Sequence, residues 1–247
     1  GPVSRPVPPP LEPPGGAGPR RIDVGGVQLA CRTWGPPGAP PAVLLHSGSS
    51  DGSTWASLAG DLAGRWRCIA PDLRGHGGSD WPAEYSLELM RDDVAALADA
   101  LDLDRFAVVG HSLGAVVGYL IAQAHPGRVT HLVLEEPPPP VPLAMRLPPR
   151  PAGPLAFDWA AREVIVGQLN APDPAWWERL ASVTAPTLVV AGGPASHLPQ
   201  EEIARMAARL PAGRLVTIDA GHAVHATRPA EFAAAVRGFL ALPAGPG

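Results

Sequence analysis

Along most of this chain, short apolar runs with the composition of strands alternate with longer segments of helical periodicity. No other feature restricts the fold as strongly. Strand and helix in alternation imply βαβ units, in which successive strands lie parallel and helices cover both faces of the sheet. The runs fall at residues 42–45, 68–70, 106–109, 132–134, 187–190 and 215–218, and apart from Thr187 and Thr217 they are apolar at successive positions, as suits a strand covered on both faces. Helical segments lie near 54–63, 87–101, 113–124, 201–210 and 230–240. Ahead of them, residues 21–24 and 27–34 flank Gly25-Gly26, a two-residue hairpin signal, so the sheet opens antiparallel. The expected class is α/β: a mainly parallel eight-stranded sheet with helices on both faces.

Two stretches break the pattern. Residues 1–20 contain eight prolines, too many for a helix or a ladder, and read as a Pro-rich disordered tail ahead of one domain over 21–247. Residues 137–184 open with four consecutive prolines and run without a strand signal while carrying Phe157, Trp159, Trp176 and Trp177. An insertion of that length in an α/β domain usually has a task, and the expectation is a lid over a binding site, the alternative being a surface excursion whose tryptophans pack on the body. Its aromatics, with Leu143 and Met145, point to an apolar acyl or alcohol group of small or medium size.

Composition excludes several partners. A chain of 247 residues with 46% hydrophobic residues and a net charge of -4 has no basic footprint for nucleic acid. Its longest apolar stretches, such as 115–122, are far short of the roughly 20 residues that cross a bilayer, and no basic segment followed by an apolar core marks a secretory signal. Cys31 and Cys68 both sit inside strand-like runs and read as buried free thiols, which favours a reducing, cytoplasmic compartment. The glycine-rich loops match neither a P-loop nor a dinucleotide fingerprint, and apart from His222 and His225 the histidines lack paired ligand spacing. No metal or organic cofactor is expected, and the partner is a small-molecule substrate.

The chemistry concentrates in a few residues. Gly110-His111-Ser112-Leu113-Gly114 is a G-x-S-x-G pentapeptide placed between the apolar run 106–109 and a long apolar helix. A serine on so sharp a strand-to-helix turn is exposed and strained, as a nucleophile must be, and flanking glycines leave room where a Cβ would clash. A second copy, Gly48-Ser49-Ser50-Asp51-Gly52, lies in a polar loop and lacks that setting. A serine hydroxyl also needs a base. His222 follows the run 215–218 through Asp219-Ala220-Gly221, which puts it at the carboxyl edge of a parallel sheet, where such sheets bind ligands. His225 is its competitor, and His111 reads as filling space at the turn.

Taken in order, four pieces resemble the α/β-hydrolase superfamily over nearly everything from Arg21 to Leu242. They are His46-Ser47-Gly48, Pro71-Asp72-Leu73-Arg74-Gly75-His76-Gly77, the turn at Ser112, and Gly221-His222. The resemblance implies Ser112 as nucleophile, His222 as general base, and backbone N–H groups of Leu113 and Gly48 as the oxyanion hole, with Ser49 the alternative to Gly48. It also implies an acid, commonly an aspartate after the seventh strand. Here that loop, Gly192 to Pro199, has no carboxylate, and Glu201 and Glu202 read as helix-start residues. Some relatives carry the acid after the sixth strand, where Glu135-Glu136 stand. Strand residues alternate between faces, so one of the two reaches His222, and Glu136 is preferred. The Asp72–Gly77 stretch reads as structural. The implied activity is that of a serine hydrolase of the esterase or lactonase type. A thioesterase, acyl transferase or lyase would use the same residues, and a small-molecule receptor is the alternative of a different class. A serine at the turn disfavours dehalogenases and epoxide hydrolases, which use aspartate there.

Overall fold

The computed structural model describes residues 19–247, so most of the proposed tail lies outside the described residues. Among the described residues, eight strands form one sheet in the order β1-β2-β4-β3-β5-β6-β7-β8. The strands are β1 (Arg20–Asp23), β2 (Gln28–Trp34), β3 (Pro41–Leu45), β4 (Arg67–Pro71), β5 (Phe106–His111), β6 (Val129–Glu135), β7 (Thr187–Ala191) and β8 (Gly213–Thr217). β2 runs against both its neighbours, and every other pairing is parallel. β8 starts and ends ahead of the apolar run 215–218 because Gly213 and Arg214 pair with Thr187 and Leu188 of β7 despite their poor strand propensity.

The helices are α1 (Ala56–Leu62), α2 (Leu87–Ala100), α3 (Leu113–Ala124), α4 (Trp159–Asn170), α5 (Pro174–Glu178), α6 (Gln200–Arg209), α7 (Val224–Thr227) and α8 (Pro229–Leu240). The first expected helix divides into a 3-10 turn at Gly52–Trp55, capped by Asp51, and the α1 that follows. None of the helices is long and apolar enough to cross a membrane, among the described residues.

Period-two alternation sorts the strand residues into two cores. Phe106, Val108, Leu132 and Leu134 face α2, α3 and α6, while Ala107, Val109, Val133 and Val190 face α1 and α8. Cys31 and Cys68 are buried free thiols, and desolvation pushes both up to about 12.

At the carboxyl edge, loops are tied to one another by buried polar groups. His46 donates from Nδ1 to the Ser47 carbonyl at 2.7 Å and accepts the Leu73 N–H at Nε2 at 2.9 Å, which joins the loops after β3 and β4 and requires a neutral ring. Asp72 accepts from the Gly52 and Gly78 amides and pairs with Arg32, while Arg74 forks onto Asp93 and donates to the Glu84 carbonyl. The Asp72–Gly77 stretch is therefore bracing.

Burial pushes His46 from its ordinary 6.5 down to about 4 and His76 down to about 3. The unfolded chain takes up these protons near pH 6.5 while the folded chain refuses them. Stability present above that pH is lost as pH falls, at about 1.4 kcal/mol per pH unit per histidine until the folded group titrates. Urea midpoints measured at pH 7, 5 and 4 should fall steeply, and His46→Gln should flatten the slope; equal slopes would contradict this account.

Candidate active site

Parallel strands bring their carboxyl ends to one edge, and the predicted residues sit there because each directly follows or ends a strand. Ser112 follows β5 and caps α3, with φ 52° and ψ -113°. This conformation is costly for a residue with a Cβ and holds the hydroxyl clear of the sheet. The turn closes because Gly110 and Gly114 lack side chains: a Cβ on Gly110 would overlap the Gly114 carbonyl, and one on Gly114 would overlap that of Leu45. Gly48, in the second pentapeptide copy, meets nothing within 4 Å and faces no such constraint.

His222 stands on the loop after β8, its Nε2 2.9 Å from Ser112 Oγ and its Nδ1 3.2 Å from Glu136 Oε1. Ser112, His222 and Glu136 are thus joined in one hydrogen-bonded line. Glu136 is fully buried and has φ 47°. Burial would raise its carboxyl, but donors from His222, Ser196 Oγ, the Gly192 N–H at 2.7 Å and Gln200 Nε2 at 3.2 Å outweigh it, so its pKa is lowered and the group is ionised. Gly192 itself can carry no side chain, because a Cβ there would overlap the Gly221 carbonyl beside His222.

Alternation sends the neighbouring carboxylate elsewhere. Glu135 follows the face of Val133 and accepts the His225 backbone N–H at 2.9 Å and its Nδ1 at 2.7 Å. His225 in turn meets Thr54 Oγ1 at 2.8 Å and stacks on Trp55, lining a separate cavity of about 250 Å³ with Thr54 and Phe232. It does not approach Ser112 by any contact in the structure. His111, expected only to fill space, donates from Nε2 to the His222 carbonyl at 2.7 Å, and burial lowers its pKa so that it is neutral. His111 and the Glu135–His225 pair hold the chain at His222 and three residues beyond it.

Ser112, Leu113, Gly48, Ser49, His76, His197 and His222 share a cavity of about 190 Å³. Leu113 opens α3, where a backbone N–H has no intrahelical acceptor. Met145, Arg162, Ile165, Val166 and Leu169 close the cavity from the segment between β6 and β7, and beyond it lies an open groove of about 1230 Å³. Phe157, Trp159, Trp176 and Trp177 line neither this cavity nor the groove. Trp176 is buried with its carbonyl on Gln123, Trp177 lies under Arg205 and Arg209, Phe157 stacks on His76, and Trp159 packs near Arg162. These rings pack the segment onto the body, as amphipathic and aromatic residues do when a short segment has little core of its own. Met145 lines the cavity and Leu143 the groove.

The chain belongs to the α/β hydrolase fold family, whose model matches residues 40–171. It is 36% identical over 121 residues to a fluoroacetate dehalogenase from Burkholderia sp., a match that covers 47% of this chain and 39% of that protein. Among solved structures it is similar to a hydrolase from Pseudomonas aeruginosa PA01, with a TM-score of 0.79 at 26% identity over 92% of this chain and 100% of that one. It is also similar to Est816, described as an N-acyl homoserine lactone degrading enzyme, with a TM-score of 0.76 at 29% identity over 89% of this chain and 100% of that one. The chain spans less than half the length of the curated relatives it matches.

Because Glu135 is buried and engaged by His225, Glu135→Gln removes a charge-assisted acceptor from a closed network. It should lower the free energy of unfolding by about 1 to 3 kcal/mol, seen as a lower urea midpoint at unchanged slope. An unchanged midpoint would mean the pair carries no structural role.

Proposed function

We propose that the chain is a serine hydrolase that cleaves esters or lactones of small to medium size through an acyl-enzyme on Ser112. The observation that carries this reading is the line Ser112 Oγ to His222 Nε2 at 2.9 Å and His222 Nδ1 to the buried, ionised Glu136 at 3.2 Å. Without a base, serine is a poor nucleophile. In this arrangement His222 takes the hydroxyl proton as Oγ attacks the carbonyl carbon. The imidazolium so formed lies against the Glu136 carboxylate, which also holds the ring in the tautomer that leaves Nε2 free to accept.

The tetrahedral intermediate carries its charge on the former carbonyl oxygen. The N–H groups of Leu113 and Gly48 are the proposed donors to it, and both residues line the cavity with Ser112. His222 then returns its proton to the leaving alcohol, and water activated by the same imidazole releases the acid. Met145, Ile165, Val166 and Leu169 offer the acyl or alcohol group an apolar wall, and we assign the segment that carries them the role of a lid. Similarity to Est816 supports the lactone branch of the reading. The dehalogenase likeness does not extend to the mechanism, because a serine stands at position 112, where the superfamily's dehalogenases use an aspartate nucleophile.

Hydrolysis of 4-nitrophenyl acetate and butyrate tests the assignment. Glu136→Gln should lower kcat by roughly 10^3 to 10^4-fold with a small change in KM, and Glu135→Gln should lower it by less than about tenfold. The reverse order of effects would move the acid's role to Glu135.

A further inference from the structure

Arg162 is the one cation that faces the cavity of Ser112 from α4, among the described residues. Its place follows from helical spacing: Ile165, Val166 and Leu169 lie three, four and seven residues on, so an apolar stripe facing the cavity ends in a guanidinium. Arg162 is partly buried; of the other guanidinium groups among the described residues, Arg32 and Arg74 have carboxylates, on Asp72 and Asp93, and the partly buried Arg105 has the carbonyls of Gly127 and Gly245. Arg162 has no carboxylate among the described residues. Its NH1 donates to Ser49 Oγ at 2.8 Å, its carbon lies 5.8 Å from the Trp159 ring, and its Nε is buried with no hydrogen-bond partner. A buried donor without an acceptor is uncommon in folded proteins, and a guanidinium presents its donors as a planar fork that matches a carboxylate.

The surroundings agree in sign. Arg162 also lines the adjoining groove, with Arg146, Arg205 and Glu202, and Glu202 is already paired with Arg205 at 2.7 Å. We propose that Arg162 is a subsite for a substrate carboxylate, so that the esters or lactones taken at this site are anionic. The proposal rests on the reading of Ser112 as the nucleophile in so far as it concerns catalysis. As a binding site, it stands on the Arg162 geometry by itself.

Two measurements separate these claims. The first compares kcat/KM for 4-nitrophenyl butyrate with that for the half-ester mono-4-nitrophenyl glutarate. Wild type should favour the half-ester, and Arg162→Gln should reduce that preference by about 10- to 100-fold, as loss of a charge-assisted pair does. Arg162→Lys should restore part of it as a point charge without the fork. The ratio is the readout because a disturbed Ser49 loop would slow both esters alike. An unchanged ratio in Arg162→Gln overturns the subsite.

The second measurement is calorimetric binding of glutarate to the wild type, Ser112→Ala and Arg162→Gln. Binding that persists in Ser112→Ala and weakens at least tenfold in Arg162→Gln supports the subsite even if no ester is turned over, in which case the nucleophile reading alone fails. Equal binding to wild type and Arg162→Gln overturns the subsite. Inorganic phosphate that binds more tightly than glutarate, and through Arg162, overturns the carboxylate assignment in favour of a phosphate-bearing substrate.

Discussion

A carboxylate at zero exposure is untenable unless donors surround it, and Glu136 has them from four directions. The imidazole of His222, the hydroxyl of Ser196, the amide of Gly192 and the side chain of Gln200 come from the loops after β8 and β7 and from the start of α6. One buried charge therefore gathers three segments of the carboxyl edge. Had the acid stood on the loop after β7, that loop would supply a carboxylate; here it supplies donors to one. The same residues that hold Glu136 ionised also set where His222 can point, and so whether it can reach Ser112.

Backbone conformation at this edge is as constrained as the side chains. Ser49, Ser112 and Glu136 all have positive φ, and all three border the site. Such conformations persist where packing and hydrogen bonds over-determine them. At Ser112 the constraint is the close approach of α3 to β3 and β5, which Gly110 and Gly114 permit. At Glu136 it is the step from the parallel ladder into the buried pocket: its N–H still donates to the Val190 carbonyl while its side chain leaves the alternation of the strand. Strain of this sort is tolerable in a sheet whose two cores are continuous on both faces.

Much of this was legible in the residue order. Alternating runs gave the sheet and its two faces, and a serine between an apolar strand and an apolar helix marked the turn at 112. Alternation along the strand said that only one of Glu135 and Glu136 would reach His222, and the choice of Glu136 came from its match to the family position and the prolines after it. What could not be read were partners that depend on the approach of distant loops. Ser196 lies in a Gly- and Pro-rich loop with no periodicity, and nothing local says that its hydroxyl meets Glu136. His111 looked like filler because its acceptor is a backbone carbonyl 111 residues away. The tryptophans of the segment after β6 left two readings open for a physical reason: a large ring is as useful for seating a short segment as for lining a pocket, and sequence does not tell the two apart. Arg162 drew no notice because an arginine on a helix is ordinary until its lack of a carboxylate is seen.

Whether Ser112 is an activated nucleophile is the claim on which the functional reading turns. Intact-mass and peptide-mapping analysis after exposure to a fluorophosphonate tests it most directly, since the probe reacts with a serine whose proton has a base to take it. The account predicts a single adduct on Ser112 in the wild type and none in Ser112→Ala. An unlabelled wild type, or an adduct that survives Ser112→Ala, would contradict it.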